Sequence, residues 1–258
     1  MHPTQKVTIL IPCYNEEEGI SEVISRFQYK RMLAHGYTAE ILVIDNNSTD
    51  QTAVVAAALG ARVIHEPKKG KGNAIRAGFA AISPDTNFVV MLDGDATYSP
   101  EEILRMLEPL QSEFADVVIG SRLTGKITPG SMKLFNRAGN WGYSFLVRVA
   151  HQVNVTDVLT GYFAWKKDVV DRLAPHLTSQ GFAIEMEMIT KMAKLGNEIY
   201  SVPITYHSRV GESNLNPISD GAKILWMFIK SLNWEPRQGK QENVCPPEEK
   251  SVSVISHA

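Results

Sequence analysis

Two aspartates separated by a single glycine, Asp93-Gly94-Asp95, follow the apolar run from Phe88 to Leu92. A buried strand ending there delivers both carboxylates to solvent at one edge of a sheet, and Gly94 leaves room beside them for a ligand. Two hard oxygen donors suit Mg2+ or Mn2+, with a diphosphate filling further positions of the shell. A metal so held offsets the charge that develops on a leaving nucleoside diphosphate. An isolated D-x-D is a weak signal, because acids at a strand end also serve as plain turn formers. The surrounding elements must decide.

Those elements alternate. Val7 to Ile11 reads as a short strand stopped by Pro12, and Glu16 to Phe27 as a helix with acids in its first turn. Glu40 to Asp45 repeats the pattern, with a polar Asn46-Asn47-Ser48-Thr49-Asp50 turn and an alanine-rich helix to Leu59. Arg62 to His65, Gly72 to Ala81, Phe88 to Leu92, Pro100 to Leu110 and Asp116 to Ile119 continue it. Strand-helix alternation implies an α/β fold with a mostly parallel sheet, whose ligand sits at the carboxyl ends of the strands. Here those ends carry Tyr14, Asn15, Asp45, Asp93, Asp95 and Arg122. Beyond Gly120 the expectation is glycine-containing loops, aromatic helices and one late strand, Tyr200 to Tyr206.

Composition narrows the partners. The 258 residues carry a formal net charge of -2, so no global basic field would hold nucleic acid, and any phosphate site must be local. Two cysteines, Cys13 and Cys245, indicate neither a disulfide framework nor a thiolate metal site, which fits a reducing cytoplasm. No apolar run reaches membrane-spanning length, and the first is too short for a signal peptide, so membrane contact is expected to be peripheral, on the cytoplasmic face. Leu225, Phe228, Ile229 and Leu232 recur at helical spacing near Trp226, Lys223 and Lys230, a stripe that suits either core packing or a membrane interface. Trp141, Tyr143, Phe145, Leu146 and Val149 carry the same ambiguity. The histidines, among them His65, His151 and His207, lack metal-ligand spacing and read as ordinary surface or loop residues.

The ordered set PCYNE, IDNNSTD, KGKGNAIRAG, MLDGDATYSPEE and GSRL resembles family 2 glycosyltransferases of the Rossmann-like GT-A fold. DVLTGYFAW, GFAIEME and VPITYHSRVGESNLNPISDG narrow the resemblance to the branch of dolichol-phosphate and polyprenyl-phosphate mannose and glucose synthases. It runs from about Val7 to Leu232. It implies one domain over 1–234, with a nucleotide-sugar half near 7–122 and an acceptor half near 123–234, followed by a disordered tail over 235–258.

The resemblance also implies roles. Pro12, Tyr14, Glu16 and Asp45 would line the nucleoside pocket, and Gly72 and Asn73 would let the backbone pass close to the nucleotide. Asp93 and Asp95 would hold Mg2+ or Mn2+, Arg122 and Arg209 would face phosphates, and Arg137 would meet the acceptor's phosphate. Glu185 would serve as base or orienting group if the acceptor were an alcohol; a phosphate acceptor is already anionic and needs none. Two positions depart from the pattern: Thr97 stands where many relatives carry Gln, and Asn214 where many carry Lys. The Q-x-x-R-W signature of processive enzymes is absent.

The expected activity is metal-dependent, inverting transfer of a hexose from a UDP- or GDP-sugar to a polyprenyl or dolichyl phosphate. The alternatives are transfer to a soluble hydroxyl compound, a sugar-phosphate nucleotidylyltransferase, and a non-catalytic nucleotide-sugar binder. KGKGNAIRAG lacks the spacing of a dinucleotide or P-loop motif.

Overall fold

A computed structural model describes residues 4–211 and 217–236. Val7 to Ile11 sends alternate side chains to opposite faces, as a strand must, yet both sets are apolar because both faces are covered. β1 (Gln5–Cys13) pairs in parallel with β2 (Tyr37–Asp45) on one side and β4 (Phe88–Met91) on the other, and β3 (Arg62–His65) continues beyond β2. β5 (Val117–Ile127) and β7 (Ile199–Tyr206) form a second parallel pair. Between the two parallel groups lies β6 (Phe163–Lys166), antiparallel to both β4 and β5. The described residues thus build one seven-stranded sheet in the order β3-β2-β1-β4-β6-β5-β7.

β6 corrects the expectation of a single late strand. Phe163, Ala164 and Trp165 are wholly buried on both faces, so a four-residue strand shows no alternation that would separate it from a core loop. Phe163 and Trp165 stack at 5.1 Å, and Phe79 meets the Trp165 edge at 5.6 Å, tying the inserted strand to the helix layer.

On one face the core gathers Leu10, Leu42 and Met91 with α4 (Lys71–Ala81), α6 (Leu134–His151), α7 (Lys167–Leu173), α8 (Ile184–Lys194) and α9 (Pro217–Leu232). On the other, Ile9, Ile11 and Val43 meet α1 (Glu17–Ser25), α2 (Tyr29–Ala34), α3 (Thr52–Ala58) and α5 (Ile103–Gln111). β1 lies where the strand order reverses, with β2 and β4 on its two sides. This switch point opens a crevice at the carboxyl ends of β1 and β4, beside Asp93. Residues 237–258, most of the expected tail, and Asn214 lie outside the described residues.

Candidate active site

The crevice is a cleft of about 270 Å3 whose lining includes Pro12, Tyr14 and Glu16 after β1, Lys69 to Lys71 before α4, Asp93 and Gly94 after β4, and Arg209. Close packing fixes the turn that carries the two aspartates. A Cβ at Gly19 would fall 2.4 Å from the Gly94 carbonyl oxygen, so the first turns of α1 press directly on that backbone. Gly161, in the loop before β6, faces the Asp93 carboxylate so closely that a Cβ would stand 2.3 Å from Oδ2. Asp95 is 2% exposed, and its Oδ1 accepts from the amide of Thr97 at 3.0 Å and from its hydroxyl at 2.6 Å. Thr97 therefore orients Asp95, a role open to the shorter side chain.

Each aspartate carries an internal cation. Lys71 Nζ lies 2.8 Å from Asp93 Oδ1 and 2.7 Å from Glu185 Oε1, bridging the end of β4 to the first turn of α8. Arg209 reaches Asp95 Oδ2 at 2.5 Å and Glu16 Oε1 at 3.0 Å. Its position follows from the chain after β7, where His207 N donates to Thr97 O at 2.9 Å and Val210 N to Asp95 O at 3.0 Å. Four carboxylates thus share two cations, leaving a formal excess of two negative charges.

The titration behaviour reflects that excess. Burial pushes the Glu16 carboxyl up to about 7 against the pull of Arg209, with Asp95 and Asp93 adding to the rise. Burial, then the Asp93 charge, raises Asp95. Burial also lifts Glu185 against the pull of Lys71. Burial works against the Lys71 ammonium, but Asp93 and Glu185 hold it above its ordinary range and keep it charged.

This donor set fits a divalent cation. Asp93 and Asp95 provide hard oxygens at one turn, and the local charge excess equals that of one such ion. Among the described residues no group of three or more His, Cys, Asp or Glu side chains converges on a metal position. The remaining shell would then come from diphosphate and water oxygens.

Pro12, Tyr14, Glu16, Asp93 and Arg209 all line the cleft. Asp45 sits at the carboxyl end of β2, 4% exposed, and its Oδ2 lies 3.0 Å from His65 Nδ1. His65 is a surface residue that holds Asp45 from the solvent side, and His207, in the loop after β7, pairs through Nε2 with Ser99 Oγ at 3.0 Å. Other expected residues are placed differently. Gly72 packs on protein backbone: a Cβ there would fall 2.2 Å from Ser179 O, and its amide donates to Gln180 O at 2.9 Å. The Asn73 side chain donates to Lys69 O at 3.0 Å.

Arg122 is buried against Asp157, with Nε and Nη2 each 2.8 Å from a carboxylate oxygen and Nη2 also 2.6 Å from Leu159 O. Most of its donors are thus engaged within the protein, a partnership not visible while Asp157 was unplaced. Arg137 stands exposed in the first turn of α6, outside the cleft lining. Glu185 meets Lys71 rather than open solvent. Lys71 is the functional candidate that sequence reasoning missed; its signal was a lysine between two glycines at a helix start, inside the KGKGNAIRAG motif.

A GT-A fold with paired aspartates at its switch point defines a glycosyltransferase class, and the comparisons identify the family. Residues 8–174 match the profile of glycosyl transferase family 2, and the chain belongs to that family. It is 40% identical over 220 residues to the glycosyltransferase AglJ of Haloferax volcanii, covering 84% of this chain and 69% of that protein. Its identity to the dolichyl-phosphate hexose transferase of the same organism is 31%, covering 87% of this chain and 92% of that protein. Among solved structures, it resembles glucosyl-3-phosphoglycerate synthase from Mycobacterium tuberculosis, crystallised with Mn2+, uridine diphosphate and phosphoglyceric acid. That likeness has a TM-score of 0.68 and 22% identity, covering 91% of this chain and 81% of that one; it shows the fold.

Proposed function

We propose that this chain transfers a hexose from a UDP- or GDP-sugar to a polyprenyl or dolichyl phosphate at a membrane surface, with inversion at the anomeric carbon. The cleft at the β1/β4 switch point, lined by Asp93 and by the partly buried cations Lys71 and Arg209, with Asp95 buried next to Arg209, carries the reading. Tyr14, Glu16 and Asp45 serve the nucleoside, and Lys71 and Arg209 serve the diphosphate. Asp93 and Asp95 hold Mg2+ or Mn2+, which supplies charge neutralisation to the leaving diphosphate. A phosphate monoester attacks as an anion, so Glu185 needs no proton-accepting role and instead holds Lys71 in place. Arg122, through its Asp157 pair, shapes the acceptor-side loop.

A surface feature supports the lipid-linked acceptor. α6 and α9 pack together, with Tyr143 OH donating to Gly221 O at 3.0 Å. They expose Trp141 at 65%, Phe145 at 51%, Trp226 at 66% and Ile229 at 46%. α6 carries no acidic residue, and the single acid of α9, Asp220, is buried; Arg137, Arg148, Lys223 and Lys230 are exposed around the apolar face. An apolar face with a basic surround suits a bilayer interface bearing anionic lipid. Arg137 is exposed on this same helix and is our candidate for the acceptor's phosphate. No described helix is long and apolar enough to cross a membrane.

The test is Asp95→Asn. Lipid-extractable transfer should vanish while a cooperative melt persists; full activity in that variant with divalent metal chelated would contradict the reading.

A further inference from the structure

The Lys71 bridge depends on a second grip. α4 starts at Lys71 after Gly70, whose φ of 128° favours glycine, and no side chain caps its first turn. The cap comes from elsewhere in the chain: Gln180 O accepts from the amides of Gly72 at 2.9 Å and Asn73 at 3.3 Å. Cβ atoms at Gly70 and Gly72 would each stand 2.2 Å from the Gln180 or Ser179 carbonyl oxygen, so the two backbones touch. The position of the 178–180 segment therefore sets the position of Lys71.

One buried carboxylate holds that segment. Glu187, 0% exposed on α8, accepts from the amide of Thr178 at 3.0 Å, its hydroxyl at 2.6 Å and the amide of Ser179 at 2.7 Å. Lys191 neutralises it, with Nζ 2.6 Å from Oε1. A fully buried ion pair is a costly means of fixing a loop whose amides water could otherwise satisfy. Here the pair ties down the backbone from both of its members, since Lys191 Nζ also donates to His176 O. Two residues earlier on the same helix, Glu185 contacts Lys71 directly. α8 thus grips the start of α4 twice, through Glu185 on the ammonium and through Glu187 and the Ser179–Gln180 carbonyls on the backbone.

We infer that Glu187 is a positioning residue: by pinning residues 178–180 it fixes the α4 N-terminus and so presents the Lys71 ammonium to Asp93 and to a bound diphosphate. The first half of this statement concerns the protein alone; the diphosphate half rests on the proposed function.

The experiment combines two readouts on wild type, Glu187→Gln, Lys71→Met and the double variant, each first shown to melt cooperatively. Hydrogen exchange of unliganded protein should show peptides spanning 70–74 exchanging at least about tenfold faster in E187Q, as expected when charge-assisted hydrogen bonds are lost. Calorimetric titration with UDP or GDP in Mn2+ should show E187Q weakening binding about tenfold, with no further loss when it is added to K71M. Unchanged exchange at 70–74 in E187Q would overturn the inference. So would an E187Q effect on binding that is undiminished in the K71M background, since it would not pass through Lys71. Altered exchange in E187Q with no nucleotide bound by wild type would retain the positioning of α4 and overturn the donor reading and the diphosphate half together. Should E187Q fail to melt cooperatively, Thr178→Val and Gly72→Ala, which disturb the same grip from its other two sides, carry both readouts with the same expected and overturning results.

Discussion

Lys71 places its ammonium 2.8 Å from a carboxylate oxygen of Asp93, so the residue that begins α4 and the residue that ends β4 form one charged unit at the switch point. The contact explains how an aspartate 21% exposed and three neighbouring carboxylates coexist in a half-buried cleft. It also gives the K-G-K-G loop its geometry: the flanking glycines fit it against residues 179–180, and the lysine reaches Asp93 and Glu185.

Lys71→Met should therefore act on both stability and turnover. Removing one partner of a buried pair costs about 3–5 kcal/mol, and here Glu185 would relieve part of it by taking up a proton. Transfer should fall by about two orders of magnitude or more as the diphosphate loses a cation. Thermal melts and steady-state kinetics on the variant check this; turnover within a factor of about three of wild type would remove Lys71 from the site.

Gly161→Ala offers a separation of the two effects. A Cβ there collides with the Asp93 carboxylate at 2.3 Å, so Asp93 must shift by a large fraction of an ångström or more. Metal-supported transfer should drop at least about tenfold, since small misplacements at a reacting centre are expensive, while melting changes little. Unaltered kinetics would show that Asp93 tolerates displacement.

Asp157 sets an acid limit on stability. Burial would raise its carboxyl, but the Arg122 charge and the hydrogen bonds from Arg122 and Asn140 hold it below the ordinary carboxylate range. The folded state thus gives up this proton more readily than the unfolded chain does. The pair's contribution is complete above the unfolded value of about 4 and disappears as pH falls through the lower folded value. Melting temperature should decline below about pH 4, and Asp157→Asn should lose about 3–5 kcal/mol at neutral pH and show a shallower acid decline. An acid limb identical to wild type would contradict the assignment.

The ends of β1, β2 and β4 were readable in the sequence because each short apolar run stops on a polar turn, and the paired aspartates declare their chemistry by type and spacing; β5, expected to stop at Ile119, runs on through polar residues to Ile127 and carries Arg122 within the strand rather than at its end. Side chains that act through long-range partners were not. Arg122 matched its motif, yet its use is decided by Asp157, which no local pattern connects to it. Gly72 showed that a close approach was needed, not whether nucleotide or Gln180 makes it. Strand β6 was hidden because burial on both faces erases alternation. The α6 and α9 stripes remained ambiguous until packing showed that Ile224 and Phe228 face the core while Trp226 and Ile229 do not.

The exposed face gives its own prediction. Trp141→Glu combined with Trp226→Glu should cut partitioning onto vesicles containing anionic lipid at least about tenfold, each aromatic being worth about 1.5–3 kcal/mol when buried. Cosedimentation measures it, and unchanged partitioning would exclude this face as the contact.

Transfer of a sugar from a nucleotide donor to a lipid phosphate can be assayed directly. Purified protein with Mn2+ is incubated with labelled UDP-glucose, UDP-N-acetylglucosamine and GDP-mannose in turn, with and without polyprenyl phosphate, and label is counted in the organic phase. Extractable label is expected with one donor, only when the lipid phosphate is present, and none in Asp95→Asn. Nucleoside diphosphate released equally with and without lipid, with no extractable label, would contradict it.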